Sequence, residues 1–259
     1  MVHFDCHAHV YEKITAIPGA RYVPKSPAPL EVWKNNLSEH KLSGGVIVQV
    51  SFLGTDNSEL CSALSKLDKT RFAGVGVVDL DVDDAELDRL VAAGIRGIRW
   101  NLVRGKAVPD ATVPTVQSFF QKLRQRGLHL EVHLEGSRLA PHLASLTDQG
   151  INLVIDHYGL PSDPSPEADP FIKAVKALPA RNNLYIKFSA HYRTGFSVAP
   201  HASALLGILD DNRVVWGSDW PHTQHEETTC YAETRDAAFL ASALSDITAA
   251  KALYGIAPV

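Results

Sequence analysis

The sequence predicts an α/β protein with a single domain, residues 1–259, folded as a (β/α)₈ TIM barrel. Three observations lead to this prediction: short β-branched runs alternate with helical patterns, eight such runs can be counted, and most are apolar almost throughout. Strands that are buried on both faces and alternate with helices are typical of a parallel sheet. Eight is the number of strands that closes into a barrel, and a doubly wound open sheet is the alternative.

The candidate strands are identified by their apolar, β-branched composition and by the turn residues that follow them. They are Val2–His9, Gly45–Ser51, Phe72–Leu80, Ile95–Leu102, Leu128–Glu135, Ile151–His157, Leu184–Ala190 and Arg213–Asp219. No linker or break in composition divides them, which favours one continuous domain.

The segments between the strands have apolar residues at helical spacing, with polar residues or glycine at their ends. The clearest sets are Leu60, Leu64 and Leu67 after Thr55–Asn57; Val116, Phe119, Phe120 and Leu123 between Pro114 and Gly127; and Leu139, Leu143 and Leu146 before Gly150. The Ala- and Leu-rich segment Glu233–Tyr254 predicts one or two closing helices. The proline-rich stretch Ile17–Leu30 follows the first strand and predicts a loop beside the active site.

Composition and charge exclude several classes of function. The net charge of −4 gives no general attraction to nucleic acid or to anionic lipid, so neither is expected as a partner. An odd number of cysteines without a CxxC pair and an N-terminus without a secretory pattern predict a cytoplasmic protein. The sequence lacks GxGxxG, GxxxxGK[ST], HExxH and GxSxG motifs. No helical pattern is apolar all round, which leaves the oligomeric state open.

Reactive residue types gather at the predicted strand ends, where barrels carry their functional groups. His7 and His9 end the first strand, and their spacing places both rings on one face. A single His-x-His triplet is weak evidence in a chain with 12 histidines. Three further strand ends strengthen it, because they carry His133, His157 and Asp219. His222 follows the last of these.

Imidazoles and a carboxylate that converge on one point suit two chemistries. They could bind a divalent ion that lowers the pKa of a water, in which case the ligands would be drawn from His7, His9, His133, His157 and Asp219. They could also act without metal, with Asp219 as a general base while imidazoles polarise a carbonyl. The simpler alternatives are a helix-capping aspartate and histidines that donate to backbone carbonyls.

A second group of candidates is basic. Arg99 lies within the fourth strand, Arg104 lies just beyond its end, and Arg193 follows the seventh strand. Each is a candidate clamp for substrate oxyanions. The alternatives are a structural bridge to a carboxylate for Arg99 and an exposed loop position for Arg104 and Arg193. Lys187, in mid-strand, is predicted to be packed or bridged in the core.

Several smaller candidates could each donate one hydrogen bond to a substrate or belong to the scaffold. They are Tyr22, Ser51, Asn101 and Tyr192. Cys6 alternates with His7 along the first strand, so it is predicted to point out of the barrel.

Six strings follow one another in an order that resembles the amidohydrolase superfamily. They are FDCHAHVY, GVIVQVSFLGTDN, GIRGIRWN, IDHYGLP, KFSAHYR and WGSDWPH. They look most like the branch that contains 2-pyrone-4,6-dicarboxylate lactonase and related sugar-lactone hydrolases and isomerases. The resemblance runs from His7 to Asp219 and covers most of the chain. Its most specific parts are WGSDWPH, IDHYGLP and the His-x-His triplet.

The resemblance implies an enzyme that opens a small anionic lactone. Asp219 would activate water, and His7, His9 and His157 would attend the carbonyl. The substrate-binding residues would be Arg99, Arg193, His222, Tyr22, Ser51 and, in a register that the strings do not fix, Arg104. The lactonase branch implies no cofactor.

His133 departs from that branch and matches a zinc-ligand position elsewhere in the superfamily. His133 is therefore a reason to consider zinc or another divalent ion as a cofactor. The corresponding alternative to a metal-free lactonase is a metal-dependent decarboxylase or C–C/ester hydrolase. A lactone isomerase and a non-catalytic binding protein are further alternatives.

Overall fold

The computed structural model describes residues 2–237, 244 and 247–258, and its centre is a sheet of eight parallel strands in chain order. The strands are β1 (Phe4–Ala8), β2 (Gly44–Val48), β3 (Phe72–Gly76), β4 (Ile95–Asn101), β5 (His129–His133), β6 (Leu153–Ile155), β7 (Leu184–Ser189) and β8 (Val214–Gly217). The sheet closes where Ala8 bridges Trp220 in parallel and the His9 amide donates to the Trp220 carbonyl at 2.7 Å. The predicted barrel is confirmed.

Helices cover the outside of the barrel, and their bounds agree with several of the sequence patterns. They are α1 (Leu30–Glu39), α2 (Ser58–Ser65), α3 (Asp84–Ala93), α4 (Pro114–Gln125), α5 (Gly136–Leu139), α6 (Leu143–Thr147), α7 (Pro170–Ala177), α8 (Ala199–Ile208), α9 (Tyr231–Asp236) and α10 (Thr248–Tyr254). Val116, Phe119, Phe120 and Leu123 form the buried face of α4, as predicted. The closing segment supplies α9 and α10, while residues 238–243, 245 and 246 lie outside the described part.

Two helical predictions need correction. The set Leu139, Leu143 and Leu146 does not lie on one continuous helix, because a 3₁₀ turn over Ala140–His142 separates α5 from α6. Pro141 lies in this turn, and a proline removes a backbone donor and crowds the preceding turn of an α-helix. Likewise Leu67 lies beyond the end of α2, although it still packs against the core.

The interior of the barrel is apolar towards the N-terminal ends of the strands. Phe4, Val46, Val154 and Val215 from four strands pack together with residues of α10, which closes this end of the barrel. The ring of Tyr254 on α10 lies with its centroid 5.3 Å from that of His129 at the start of β5. The eight strands, between Phe4 and Gly217, thus form the wall of the barrel, and α10 forms its base. The extent of the single domain over residues 1–259 stays a prediction.

Cys6 belongs to this interior cluster, so the prediction that it points outward is wrong. The pairing register of β1 with β2 shifts between Asp5 and Ala8, which breaks strict alternation. Asp5 faces outward and accepts a hydrogen bond from Trp33 Nε1 of α1 at 2.9 Å, whereas His7 faces inward with Cys6. Across the described residues, the structure contains no helix whose length and apolar character would suit a bilayer span.

Candidate active site

A polar cavity of about 260 Å³ lies at the C-terminal end of the barrel. Its walls come from the ends of several strands and from the loops that follow them, including the stretch Ile17–Leu30 that was predicted to border the active site. The polar residues that line it are His9, Arg21, Tyr22, Ser51, Arg99, Asn101, Arg104, His133, Glu135, His157, Arg193, Asp219, Thr223, Gln224 and His225. Most of the predicted site residues therefore share one cavity.

Three imidazole nitrogens surround one oxygen of Asp219. Asp219 Oδ1 lies 3.6 Å from His7 Nε2, 3.7 Å from His9 Nε2 and 3.9 Å from His157 Nε2. All four side chains are buried. Within the described part of the chain, neither Asp219 Oδ1 nor His7 Nε2 has a hydrogen-bond partner. Buried polar atoms without partners are rare, so this point suits a water, a substrate atom or an ion.

The backbone at two strand ends is held in a conformation that directs these side chains inward. His157 has φ 55° and Asp219 has φ 59°, in the left-handed region that L-residues seldom occupy. The Asp219 amide donates to the His7 carbonyl at 2.8 Å, which fixes the turn after β8 against β1. Gly217 permits this approach, because a Cβ there would lie 2.4 Å from His7 Cβ. Such strain concentrates at functional sites.

The second nitrogen of each ring has its own partner, and the partner of His9 decides which of its nitrogens carries the proton. His9 Nδ1 lies 2.7 Å from the Val48 carbonyl. A carbonyl only accepts, so His9 donates from Nδ1 and presents a lone pair on Nε2 towards Asp219. His157 Nδ1 pairs with Ser189 Oγ at 2.8 Å. His7 Nδ1 lies 3.3 Å from both Lys187 Nζ and Asp156 Oδ1.

The other oxygen of Asp219 is fully engaged. Asp219 Oδ2 accepts from the Tyr192 hydroxyl at 2.6 Å and from Arg193 Nε and Nη2 at 2.8 and 2.6 Å. Burial alone would raise the pKa of Asp219, but the Arg193 guanidinium holds that pKa well below its usual range. Asp219 is therefore an oriented carboxylate whose Oδ1 faces the cavity.

The histidines of the site are neutral at physiological pH. Burial is the main cause, and it lowers the pKa of His7 to about 3 and that of His9 to about 4. Burial also lowers the pKa of His133 and of His157 well below the usual range. Neutral imidazoles bind metal ions or exchange hydrogen bonds with substrate without prior deprotonation.

A layer of buried charges lies beneath His7. Arg99 donates to Asp156 Oδ2 from Nε and Nη2, at 3.0 and 2.8 Å, and its Nε lies 3.5 Å from Glu131 Oε1. Lys187 donates to Glu131, which confirms that this lysine is bridged in the core. The contacts of Arg99 favour the structural bridge that the sequence left open, although its edge also reaches the cavity. Glu131 was missed, because its position inside a buried strand resembles ordinary core.

The remaining predicted residues are distributed around this centre. His133 Nδ1 receives a hydrogen bond from Arg99 Nη2 at 3.1 Å, and its ring lies 4.7 Å from that of His157. His222 is buried against Tyr192, with Nδ1 3.3 Å from the tyrosine hydroxyl. Tyr22, which lines the cavity, donates to Glu226.

Sequence reasoning also missed loop residues that line the cavity. They are Arg21, Glu135, Thr223, Gln224 and His225. Arg21 directly precedes Tyr22, a predicted site residue. This position was the sequence signal that could have identified Arg21.

The family profile described as Amidohydrolase matches residues 4–257. The chain belongs to the amidohydrolase family. It is 26% identical over 238 residues to the 2-pyrone-4,6-dicarboxylate hydrolase of Comamonas testosteroni, covering 84% of this chain and 76% of that relative. It is 25% identical over 236 residues to the D-galactarolactone isomerase of Agrobacterium fabrum, covering 88% and 80%.

A crystal structure gives the same picture at the level of the fold. The probable 2-pyrone-4,6-dicarboxylic acid hydrolase of Acinetobacter baumannii, solved with citric acid bound, superposes with a TM-score of 0.87 and 29% identity, covering 98% of this chain and all of that one. The resemblance to this branch, which the sequence strings indicated, is confirmed.

The donor set of this amidohydrolase fits a divalent ion. His7, His157 and Asp219 offer ligand atoms that all lie within 4.8 Å of one another, and His9 Nε2 faces the same oxygen. His133 is placed differently. Because its Nδ1 accepts from Arg99, a neutral His133 carries its proton on Nε2 and has no lone pair there for a metal. A bound ion would be held by His7, His9, His157 and Asp219, and would lower the pKa of a water ligand.

Proposed function

We propose that the protein hydrolyses a small anionic lactone, with Asp219 as the general base. The observation that carries this proposal concerns Asp219 Oδ1, which has no hydrogen-bond partner among the described residues and is surrounded by three imidazole nitrogens at the base of the cavity. A carboxylate with one oxygen fixed by Tyr192 and Arg193 presents the other at a defined position. Such orientation is what a general base requires.

The attacking water is proposed to bridge Asp219 and His9. Asp219 Oδ1 and His9 Nε2 are both acceptors and lie 3.7 Å apart, so one water can donate a proton to each and direct its oxygen lone pair at a carbonyl. As that oxygen bonds to the lactone carbon, Asp219 takes one proton. The acyl–oxygen bond of the ring then breaks, the ring oxygen receives that proton, and an open-chain acid leaves.

The imidazoles of His7 and His157 are proposed to polarise the carbonyl. When Ser189 donates to His157 Nδ1 and Lys187 donates to His7 Nδ1, both rings carry their proton on Nε2, next to Asp219 Oδ1. Each can then donate to the developing oxyanion, which is the interaction that most lowers the barrier of acyl transfer. His133, with its proton on Nε2, is a further donor at the cavity wall.

Several residues are proposed to hold the polar groups of the substrate. Ser51, Tyr22 and Arg104 line the cavity and can reach a ligand there. Arg99 and Arg193 also line it, but their guanidinium groups are already paired with Asp156 and Asp219. His222 supports the site through its contact with Tyr192. We keep the cytoplasmic location as a prediction and propose no nucleic-acid or membrane partner.

A panel of lactones with and without carboxylates tests the proposal directly. Hydrolysis releases a proton and is followed with a pH indicator, once in the presence of a chelator and once without it. We expect turnover of at least one carboxylated lactone, with a rate that the chelator leaves unchanged. The absence of turnover across the panel would refute the lactonase assignment.

A metal-dependent decarboxylase or C–C/ester hydrolase is the second candidate. The donor set of His7, His157 and Asp219 favours it, because these atoms suit zinc or another divalent ion. Stoichiometric metal in protein purified without added ions, with activity lost on chelation and restored by zinc, would refute the metal-free mechanism. Release of CO₂ or cleavage of a C–C bond would then distinguish this candidate from a metal-dependent lactonase.

A lactone isomerase would use the same base, Asp219, to move a proton or an acyl group without net addition of water. The relative in Agrobacterium fabrum, named as a D-galactarolactone isomerase, motivates this third candidate. Product analysis by NMR in ¹⁸O-labelled water separates the two reactions, because hydrolysis incorporates one labelled oxygen and isomerisation incorporates none.

A further inference from the structure

A second cavity, which we call the side chamber, adjoins the catalytic cavity next to β2, β3 and β4. Its volume is about 410 Å³, larger than that of the catalytic cavity, and Ser51 and Asn101 line both. The walls of the side chamber come from the stretch Ile17–Leu30, from the segments that follow β2 and β3, and from the end of β4. Because the two cavities share part of their walls, a substrate bound at Asp219 can extend into the side chamber.

Gln49 presents a fixed hydrogen-bond acceptor to the side chamber. This residue lines the chamber, although only 2% of it is exposed. Its Nε2 donates to the Gly54 carbonyl at 3.3 Å and to the Asp56 carbonyl at 2.6 Å. Both carbonyls only accept, so the amide cannot be turned round, and Oε1 points away from them. Among the described residues no hydrogen bond reaches this oxygen, which leaves it to a ligand.

Asn101 presents the complementary donor at the boundary between the two cavities. Its Oδ1 accepts from Arg21 Nη2 at 2.8 Å, which fixes the amide with Nδ2 on the other side. In the described part of the chain, this nitrogen donates to no acceptor. The hydroxyls of Ser51 and Thr55 also line the side chamber, and neither forms a hydrogen bond with another described residue. The chamber therefore offers an acceptor, a donor and two groups that can act as either.

These polar groups select among the possible occupants. Asp79 and Lys106 in the chamber wall are exposed, and Arg99 is paired with Asp156. A carboxylate would place an acceptor against Gln49 Oε1, and an apolar group would leave that buried oxygen without a partner. Hydroxyl groups can donate to Gln49 Oε1 and accept from Asn101 Nδ2. An uncharged, hydroxyl-bearing group is therefore the occupant that satisfies both amides.

We propose that the side chamber binds an uncharged, hydroxyl-bearing arm of the substrate, with Gln49 and Asn101 as the residues that determine this specificity. The hydroxyls of the arm meet the two amides, and its carbon chain packs against Ile17, Ala20 and Val78. The arm is separate from the reacting ester, which lies at Asp219. This inference rests on the proposed function in one respect, that the arm belongs to a lactone.

Binding of D-gluconate and of hexanoate tests the side chamber without any turnover. The two anions share chain length and charge, but only gluconate carries hydroxyls. Isothermal titration compares the wild type with Ala20→Leu, which adds bulk to the chamber. The matched control is Ala16→Leu, because Ala16 is also half-buried and precedes the same stretch but lines neither cavity.

We expect the wild type to bind gluconate about tenfold or more tightly than hexanoate, the difference typical of one or two buried hydrogen bonds. Ala20→Leu should weaken gluconate by about tenfold or more, since overpacking excludes the arm, whereas Ala16→Leu should stay within about twofold of the wild type. Gln49→Met keeps the volume of the side chain and removes the acceptor. It should bring the affinity for gluconate close to that for hexanoate.

Three results would overturn the side chamber as a site for hydroxyls. The first is a wild type that binds hexanoate as tightly as gluconate, which would point to an apolar occupant. The second is a gluconate affinity that Ala20→Leu and Gln49→Met leave unchanged, with thermal midpoints showing that both variants are folded. The third is a wild type that binds neither anion at millimolar concentration. If Ala20→Leu does not fold, Gln49→Met decides the question.

A kinetic comparison separates this inference from the proposed function. For a lactone with a hydroxyalkyl arm and for the same ring without it, Ala20→Leu should lower kcat/KM for the first by about tenfold or more. The value for the second should be nearly unchanged. Equal losses for both would refute the side chamber while leaving the lactonase intact. If no lactone is hydrolysed, the proposed function fails and the titrations with gluconate and hexanoate alone decide the side chamber.

Discussion

The two ends of this barrel are built from the same strands but differ completely in chemistry. At the N-terminal end, Phe4, Val46 and Val154 pack against α10 in an apolar cluster. At the C-terminal end, three imidazole nitrogens, from His7, His9 and His157, converge on Asp219 Oδ1, an oxygen without a hydrogen-bond partner in the described part of the chain. Only a few residues of each strand separate these ends.

The difference shows how the fold divides its tasks along one axis. Val154 and Asp156 are two residues apart, yet the first packs in the apolar cluster and the second holds Arg99. Between the ends lies the layer of buried charges, in which Glu131 and Lys187 pair directly. The closed end contributes stability through burial, and the open end can carry strained, polar groups because of it.

The charged layer should be the most sensitive part of the structure. Lys187→Met removes the cation that pairs with Glu131, leaving a fully buried carboxylate without its main partner. We expect a loss of about 3–5 kcal/mol in the free energy of unfolding, measured by urea titration. The double variant Lys187→Met/Glu131→Gln should recover much of it. A single variant as stable as the wild type would show that the layer contributes no such coupling.

At the closed end, a change should affect stability alone. Tyr254→Ala on α10 removes a fully buried ring that packs against His129, and we expect a loss of about 3 kcal/mol. Because the ring lies at the opposite end from Asp219, kcat/KM on a lactone substrate should stay within about twofold. A large fall in kcat/KM in a variant that remains folded would mean that the two ends are coupled.

His129 makes the closed end sensitive to acid. Burial lowers the pKa of His129 to about 3, against about 6.5 in an unfolded chain. The unfolded state therefore binds a proton that the folded state excludes, so the contribution to stability is complete above pH 6.5 and declines as the pH falls towards 3. Between pH 7 and pH 5 the loss from this group is about 2 kcal/mol. His129→Phe should show a pH dependence shallower by that amount, and an unchanged slope would exclude this cause.

Sequence reasoning recovered the regular part of the molecule. The eight strands were found because each is a buried apolar run, and the residues at their ends were found because a barrel places those ends together. Cys6 was assigned to the wrong side, since a register shift within β1 leaves no trace in composition. Pro141 was available as a signal for the broken helix but was outweighed by the leucine spacing.

The missed site residues share a physical reason. Arg21 and Gln224 lie on loops, where no periodic pattern relates sequence position to direction. Glu131 lies in a strand whose neighbours are apolar or histidine, and only the three-dimensional contact with Lys187 reveals its pairing. Residues at strand ends can be predicted from the fold alone. A pair such as Glu131 and Lys187 can be recognised only from the three-dimensional structure.

The central claim is that Asp219 acts as the base of a lactone hydrolysis, and Asp219→Asn tests it most directly. Asparagine has nearly the same shape and still accepts from Arg193, but it cannot take a proton from water. We expect kcat/KM for a carboxylated lactone to fall by about a thousandfold or more, with citrate affinity within a few-fold of the wild type and an unchanged far-UV spectrum. An Asp219→Asn enzyme that keeps a tenth or more of the wild-type kcat/KM would contradict the account.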